Sequence, residues 1–310
     1  MSIELSAGMK SLINAAATYV VPPVTWYRYG RLLLGLYPAR PDAGFHPELR
    51  DPEFIHTLVG LVMPFARHYF RLEMHDVHHV PTEGAALLVG NHNGGLQPVD
   101  SFFTCGAIAE TQGAQRAVFG LAHDYLWREP SLADFLHRVG GLRAHQDAAR
   151  MGLDSGGLVL VYPGGDVDTF RPYDERNKIC LGGRKGFIKT ALRAGVPIVP
   201  VVSVGAHEAW YVLTRGEKIA AALDFKRRLR TEVCPIVLAL PLGLTSGMLP
   251  YLPLPAKMDI RFLPPIRWKK LKPKHAEDED VLQRCYDEVL GVMQTAMDEM
   301  VAHRKYPVIG

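Results

Sequence analysis

The 310-residue sequence predicts an α/β fold, a mostly parallel central sheet flanked by helices, over residues 69–310, preceded by an amino-terminal helical arm over residues 1–68. Three observations carry this expectation. Continuous apolar runs recur from residue 85 onward in the manner of strands buried on both faces, helix-length segments separate them, and the carboxyl-terminal segment repeats apolar positions at spacings of three and four. Composition agrees, since 48% hydrophobic and 22% charged residues exclude a disordered, collagen-like or disulfide-stapled chain. At this length a chain buries roughly 75% of its unfolded surface, so the core needs no metal or crosslink.

The arm is defined by apolar stretches. Residues 11–27 are uncharged between Lys10 and Arg28 and are broken by Pro22 and Pro23. That is short of the roughly 20 apolar residues that span a bilayer. A second stretch, FIHTLVGLVMPFA (54–66), is followed by Arg67, His68 and Arg71. A third, residues 235–256, is long enough to span, but Pro235, Pro241, Pro250, Pro253 and Pro255 forbid a regular transmembrane helix. Glu4 comes early and Lys10 late, unlike a signal peptide. With Trp26, Tyr27, Arg28, Tyr29 and Arg31 beside them, the stretches predict a membrane-associating element that lies at the interface rather than crossing it.

The strands follow. AALLVG (85–90), RAVFG (116–120), LVLVY (158–162) and PIVPVV (197–202) alternate with helical segments around residues 99–109, 131–139 and 185–194, which is the βαβ pattern. KMDIRFL (257–263) alternates apolar and polar residues, as an edge or half-exposed strand does. Val281, Cys285, Val289, Val292, Ala296 and Met300 predict a closing amphipathic helix, with an acidic start at 277–280 and a basic end at 303–305 that suit its dipole.

Thirty-five Lys+Arg against 32 Asp+Glu leave a charge of +3, too mild to argue for nucleic acid but compatible with an anionic membrane or a phosphate-bearing substrate. Cys105, Cys180, Cys234 and Cys285 lack metal-type spacing and read as reduced thiols of a cytosolic compartment. His75, His78 and His79 form a cluster without an acid or cysteine at ligand spacing, and no metal is expected there.

In an open parallel sheet, ligands sit beyond the carboxyl ends of the strands. After 85–90 comes Asn91-His92-Asn93-Gly94-Gly95, with Asp100 opening the next helix; after 158–162 comes Pro163-Gly164-Gly165-Asp166-Val167-Asp168. His92 is the candidate base, because an unperturbed pKa near 6.5 lets it accept a proton at neutral pH, and Asp100 is placed to fix its tautomer. Gly94 and Gly95 would admit a substrate to the backbone, and the Gly164-Gly165 amides would serve as oxyanion or phosphate donors or simply form a tight turn. Ser203 lacks the first glycine of a nucleophile elbow.

The blocks YFRLEMHDVHHVPTEGAALLVGNHNGGLQPVD (69–100), LVLVYPGGDVDTF (158–170) and GGRKGFIKTALRAGVPIVPVV (182–202) resemble the glycerolipid acyltransferase superfamily, the lysophospholipid and 1-acylglycerol-3-phosphate acyltransferases, over roughly residues 65 to 300. Two departures point to a branch. The usual block would place its acid at position 97, where Gln97 stands, so Asp100 is the first carboxylate; and Tyr162-Pro163-Gly164-Gly165 replaces the usual Phe-Pro-Glu-Gly. Both resemble the branch of diacylglycerol acyltransferase 2, whose acid after Pro-Gly-Gly is matched by Asp168. The resemblance implies an O-acyltransferase in which His92 deprotonates a lipid hydroxyl that attacks the thioester of acyl-CoA or acyl-carrier protein, with Asp100 orienting it. It implies substrate contacts from Asn91, Gly94, Gly95, Gly164, Gly165, Asp168, Arg184 and Lys185, and no cofactor; Arg143 lies where the family's second block often carries an arginine that contacts acceptor phosphate. Arg171 reads as a solvated surface charge or as a phosphate contact. Partners would be the acyl donor, a lipid acceptor and the cytoplasmic face of a membrane, held peripherally or monotopically, with no nucleic acid. A hydrolase using the same base on water, and a lipid-binding protein without catalysis, are the rival readings.

Overall fold

The computed structural model describes residues 23–93, 95, 99–239, 243–249 and 253–306; residues 11–22 of the first apolar stretch, Gly94 and Gln97 lie outside the described residues. The arm contributes α1 (Pro23–Leu33) and α2 (Pro52–Tyr69). Asp51 caps α2 by accepting the Phe54 N–H at 2.9 Å, and Pro52 enters where no helical N–H is needed. α2 buries Met63 and Ala66 against the sheet and leaves Leu61 and Phe65 exposed.

The chain then runs through β1 (Glu73–His75), β2 (Ala86–Gly90), α3 (Val99–Gln112), β3 (Val118–Ala122), α4 (Pro130–Arg138), β4 (Gly141–Arg143), α5 (Gln146–Asp154), β5 (Leu158–Val161), α6 (Gly165–Thr169), α7 (Gly186–Ala194) and β6 (Ile198–Val204). Beyond lie α8 (Ala206–Ala209), β7 (Tyr211–Thr214), α9 (Glu217–Ala222), α10 (Phe225–Leu229), β8 (Ile236–Ala239), β9 (Gly243–Ser246), β10 (Asp259–Phe262) and α11 (Glu279–Ala302).

Seven strands form the central sheet in the order β1-β10-β6-β2-β5-β3-β4, parallel throughout except where β10 runs antiparallel to β6. The apolar runs explain the two-sided burial. Leu87, Val89, Val159 and Val202 face a layer built from α5, α7 and α11, while Leu88, Leu158, Leu160 and Val201 face α2 and α3. β2, at the centre, ends between β5 and β6, so the carboxyl ends of these three strands share one rim.

Two expectations are corrected. The strand at 257–263 is interior, between β1 and β6; its alternation reflects ion pairs, with Arg261 reaching Asp76 and Glu299. Val292 is 39% exposed, and Met293 instead continues the buried stripe of α11 from Cys285 and Val289 to Ala296. The stretch at 235–256 supplies two strands of a separate antiparallel sheet, β7-β8-β9. Among the described residues no helix is long and apolar enough to cross a membrane. All four cysteines are free thiols.

Candidate active site

The rim is assembled from β2 outward. Gly90 ends the strand as glycine because a Cβ there would stand 2.5 Å from the Tyr162 ring. Asn91 then ties β2 to β6, donating to the Ser203 carbonyl at 2.9 Å and accepting the Ser203 N–H at 2.8 Å. His92 follows, its imidazole stacked on Tyr162 with ring centroids 4.3 Å apart and planes inclined by 15°.

Asp100, in the first turn of α3, is 1% exposed. One carboxylate oxygen, Oδ2, lies 2.9 Å from His92 Nδ1 and accepts the Asn93 N–H at 2.6 Å; the other accepts the Ser101 N–H at 2.7 Å. Donors converging from the ring and from the start of a helix match a carboxylate. With Asp100 accepting from Nδ1–H, the lone pair of His92 is left on Nε2, and 18% of the side chain remains exposed at the rim.

A second buried carboxylate braces the backbone. Asp168, fully buried near the end of α6, accepts the His92 N–H through Oδ2 and faces Arg171 Nε through Oδ1 at 2.9 Å. Arg171, itself 1% exposed, donates from Nη2 to Asn93 Oδ1 at 3.1 Å and to His207 Nε2 at 3.0 Å. His207 follows β6, so all three strand ends meet in one network.

The two histidines are electrostatically opposite. Burial disfavours the His92 imidazolium, but the charge and hydrogen bond of Asp100, helped by Asp168, outweigh it and raise the His92 pKa above its ordinary value. Burial and then the Arg171 charge hold His207 well below the histidine range, so it stays neutral and accepts from the guanidinium. Burial pushes Asp168 up to about 6 against the opposing pull of Arg171 and the His92 N–H.

Several residues expected to touch substrate have other partners. Asn91 and Asp168 are internal braces. The Gly165 N–H is engaged with the Tyr162 carbonyl, and Gly164 is glycine because a Cβ would land on the Cys180 carbonyl. The Gly95 carbonyl accepts from Thr169. Arg184 lies at the rim beside Gly165, bonded to the Pro163 carbonyl, and Lys185 pairs with Glu279 of α11. Arg171 is neither a surface charge nor an exposed phosphate ligand but a buried anchor, and Arg143 is anchored too, joining Asp124 and the Ala43 carbonyl. Tyr162, Asn93 and His207 carried no assigned role in the sequence, although His207 lies just beyond the end of the PIVPVV strand, on the same rim as His92.

His75 does meet acids, Glu73 from its own strand and Asp259 from the neighbouring β10: the three side chains offer ligand atoms within 4.8 Å of one another. Lys257 lies 2.9 Å from Glu73 and 3.9 Å from Asp259, offsetting one of the two carboxylate charges. His79 turns instead to the Phe262 carbonyl at 2.9 Å.

The profile of the diacylglycerol acyltransferase family matches residues 53–300, which contain the whole network. The chain belongs to the diacylglycerol acyltransferase family. It is thus an acyltransferase of glycerolipid type, placed near the diacylglycerol acyltransferase 2 branch. An uncharacterized protein of Mycobacterium tuberculosis is 30% identical over 256 residues, 82% of this chain and 69% of that protein. Diacylglycerol O-acyltransferase 2 of Bos taurus is 27% identical over 158 residues, 48% of this chain and 43% of that one. The crystal structure of the 1-acyl-sn-glycerophosphate acyltransferase PlsC from Thermotoga maritima superposes with a TM-score of 0.51 over 95% of both chains at 15% identity, a likeness of fold.

Proposed function

We propose that the protein moves a fatty acyl chain from a thioester, acyl-CoA or acyl-carrier protein, to a hydroxyl of a glycerolipid or another lipid alcohol, with His92 as general base. The observation that carries this reading is the 2.9 Å contact between His92 Nδ1 and buried Asp100 at the rim of the sheet. His92 Nε2 takes the proton of the acceptor hydroxyl as its oxygen bonds to the thioester carbonyl carbon. The resulting tetrahedral oxyanion collapses, the C–S bond breaks, and the departing thiolate takes the proton from the imidazolium, leaving an ester, a free thiol and neutral His92. Asp100 stabilises the imidazolium between these steps, and no serine or cysteine nucleophile is needed because the thioester is already activated. No cofactor is required. The protein works at the cytoplasmic face of a membrane as a peripheral or monotopic enzyme, where its water-insoluble acceptor resides.

The test is thiol release from acyl-CoA or acyl-carrier protein with lysophospholipids, diacylglycerol and fatty alcohols as acceptors. His92→Ala should abolish ester formation while leaving the melting temperature within a few degrees of wild type. Free fatty acid released at full rate without acceptor would establish a hydrolase instead, and ligand binding indifferent to His92 with no thiol released would establish a lipid-binding protein.

A further inference from the structure

The β7-β8-β9 sheet is apolar on the wrong side. Its inner face is conventional, with Val212 opposite Val237 and both buried. On the outer face Leu238 stands directly opposite Leu244, and Leu213 follows Val212 outward; the three are 54%, 68% and 47% exposed. An antiparallel sheet with one face on the core ordinarily turns polar residues to water, so a leucine face marks a contact surface. Ile219 and Leu223, one helical turn apart on and just beyond α9, add two more exposed apolar side chains.

The segment between β7 and β8 is basic. Residues 213–230 hold six Lys or Arg against two acidic residues, a larger excess than that of the whole chain. Lys218 and Arg228 are exposed, and the surface pairs of Lys226 with Glu232 and Arg227 with Asp224 are of the weak kind that lipid phosphates can exchange with. The surface is also fastened to the reaction site. Thr231 and the Glu232 N–H both bond Asp166, and Arg215 donates to the Val167 carbonyl, so the sheet and its connector hang from α6, the helix whose Asp168 braces His92.

We propose that the outer face of this sheet, with α9 and α10, is the surface through which the protein docks onto an anionic lipid bilayer. A second copy of the chain fits poorly, because an isologous pair would bring the basic connector against itself. A bilayer satisfies both features at once, since leucines enter the acyl boundary while lysine and arginine meet headgroup phosphates. The inference rests on the acyltransferase reading, for it sets the docking surface beside the rim where a membrane-borne acceptor must enter.

Full-length protein is co-sedimented with vesicles of phosphatidylcholine, with and without phosphatidylglycerol. Leu238→Glu/Leu244→Glu should lower the partition coefficient at least tenfold on both, and Lys218→Glu/Arg228→Glu at least tenfold on the anionic vesicles alone. Both variants should keep wild-type melting temperatures and wild-type thiol release with a water-soluble acceptor, because neither touches His92. Wild-type partitioning by the leucine variant overturns the inference, as does a wild-type dimer that the leucine variant splits without loss of vesicle binding. Failure of acyl transfer in every form of the protein would overturn the catalytic reading and leave the vesicle result standing separately.

Discussion

Replacing Asp100 with asparagine tests the site at its most defined contact. Oδ2 serves two donors, His92 Nδ1 and the Asn93 N–H, and Oδ1 serves the Ser101 N–H, so an amide in either orientation sets its NH2 against a donor. If the NH2 replaces Oδ2, the ring must turn its lone pair to Nδ1 and carry its proton on Nε2, the atom that has to accept one. If it replaces Oδ1, the tautomer survives but the imidazolium loses its counter-charge. For charges on the order of 4 Å apart at an effective dielectric of about 20, that attraction is about 4 kcal/mol, or about a thousandfold in rate. Both routes fall within the 10²–10⁴-fold range of a lost general base, roughly. Asp100→Asn should therefore lower kcat/KM for acyl transfer by about a thousandfold while the Kd for acyl-CoA stays within about twofold of wild type. Since Asp100 is the chief group raising the His92 pKa, the acid limb of the residual activity should also move to lower pH. Retention of more than about a tenth of the activity, or a large loss with the acid limb unmoved, would refute the assignment.

Other perturbations probe the shell around the dyad. Gly90→Ala should force the Tyr162 ring from beneath His92 and lower kcat/KM about tenfold; a Gly90→Ala/Tyr162→Ala double mutant should show strong coupling in a cycle, because the clash is shared. Arg171→Leu leaves Asp168 buried without its cation and should destabilise the fold by about 3 kcal/mol at pH 8 in urea unfolding. Loss of Arg171 pushes the Asp168 carboxyl further above about 6, so it is protonated at acid pH and the penalty should shrink towards pH 5. A penalty constant from pH 5 to 8 would show that Asp168 does not carry the buried charge.

The parts of the fold legible in the sequence were those with one period and one neighbourhood. β2, β5 and β6 are buried on both faces and read as unbroken apolar runs, and α11 shows its stripe over several turns. β8 and β9, each four residues long, were submerged in what read as a single apolar stretch, because outward leucines hide the alternation that marks a half-buried strand. In the site, the pairing of His92 with Asp100 was legible because His92 follows a recognisable strand and Asp100 opens the next helix only eight residues on. The depth of Arg171 was not legible for a physical reason: sequence gives charge without depth, and a guanidinium buried between Asp168, Asn93 and His207 looks the same in one dimension as one at the surface. His75 was legible as a histidine, but its contact with Asp259 was not, since Asp259 arrives from a strand far along the chain.

The network behind the rim has a consequence in its charge count. Asp100 and Asp168 as carboxylates and Arg171 as a guanidinium, with His207 held neutral, leave an interior carrying one net negative charge while His92 is unprotonated. When His92 takes up a proton the same interior becomes electroneutral. Proton uptake by His92 therefore cancels a charge instead of creating one, which offsets the cost of burying the imidazolium while it lasts.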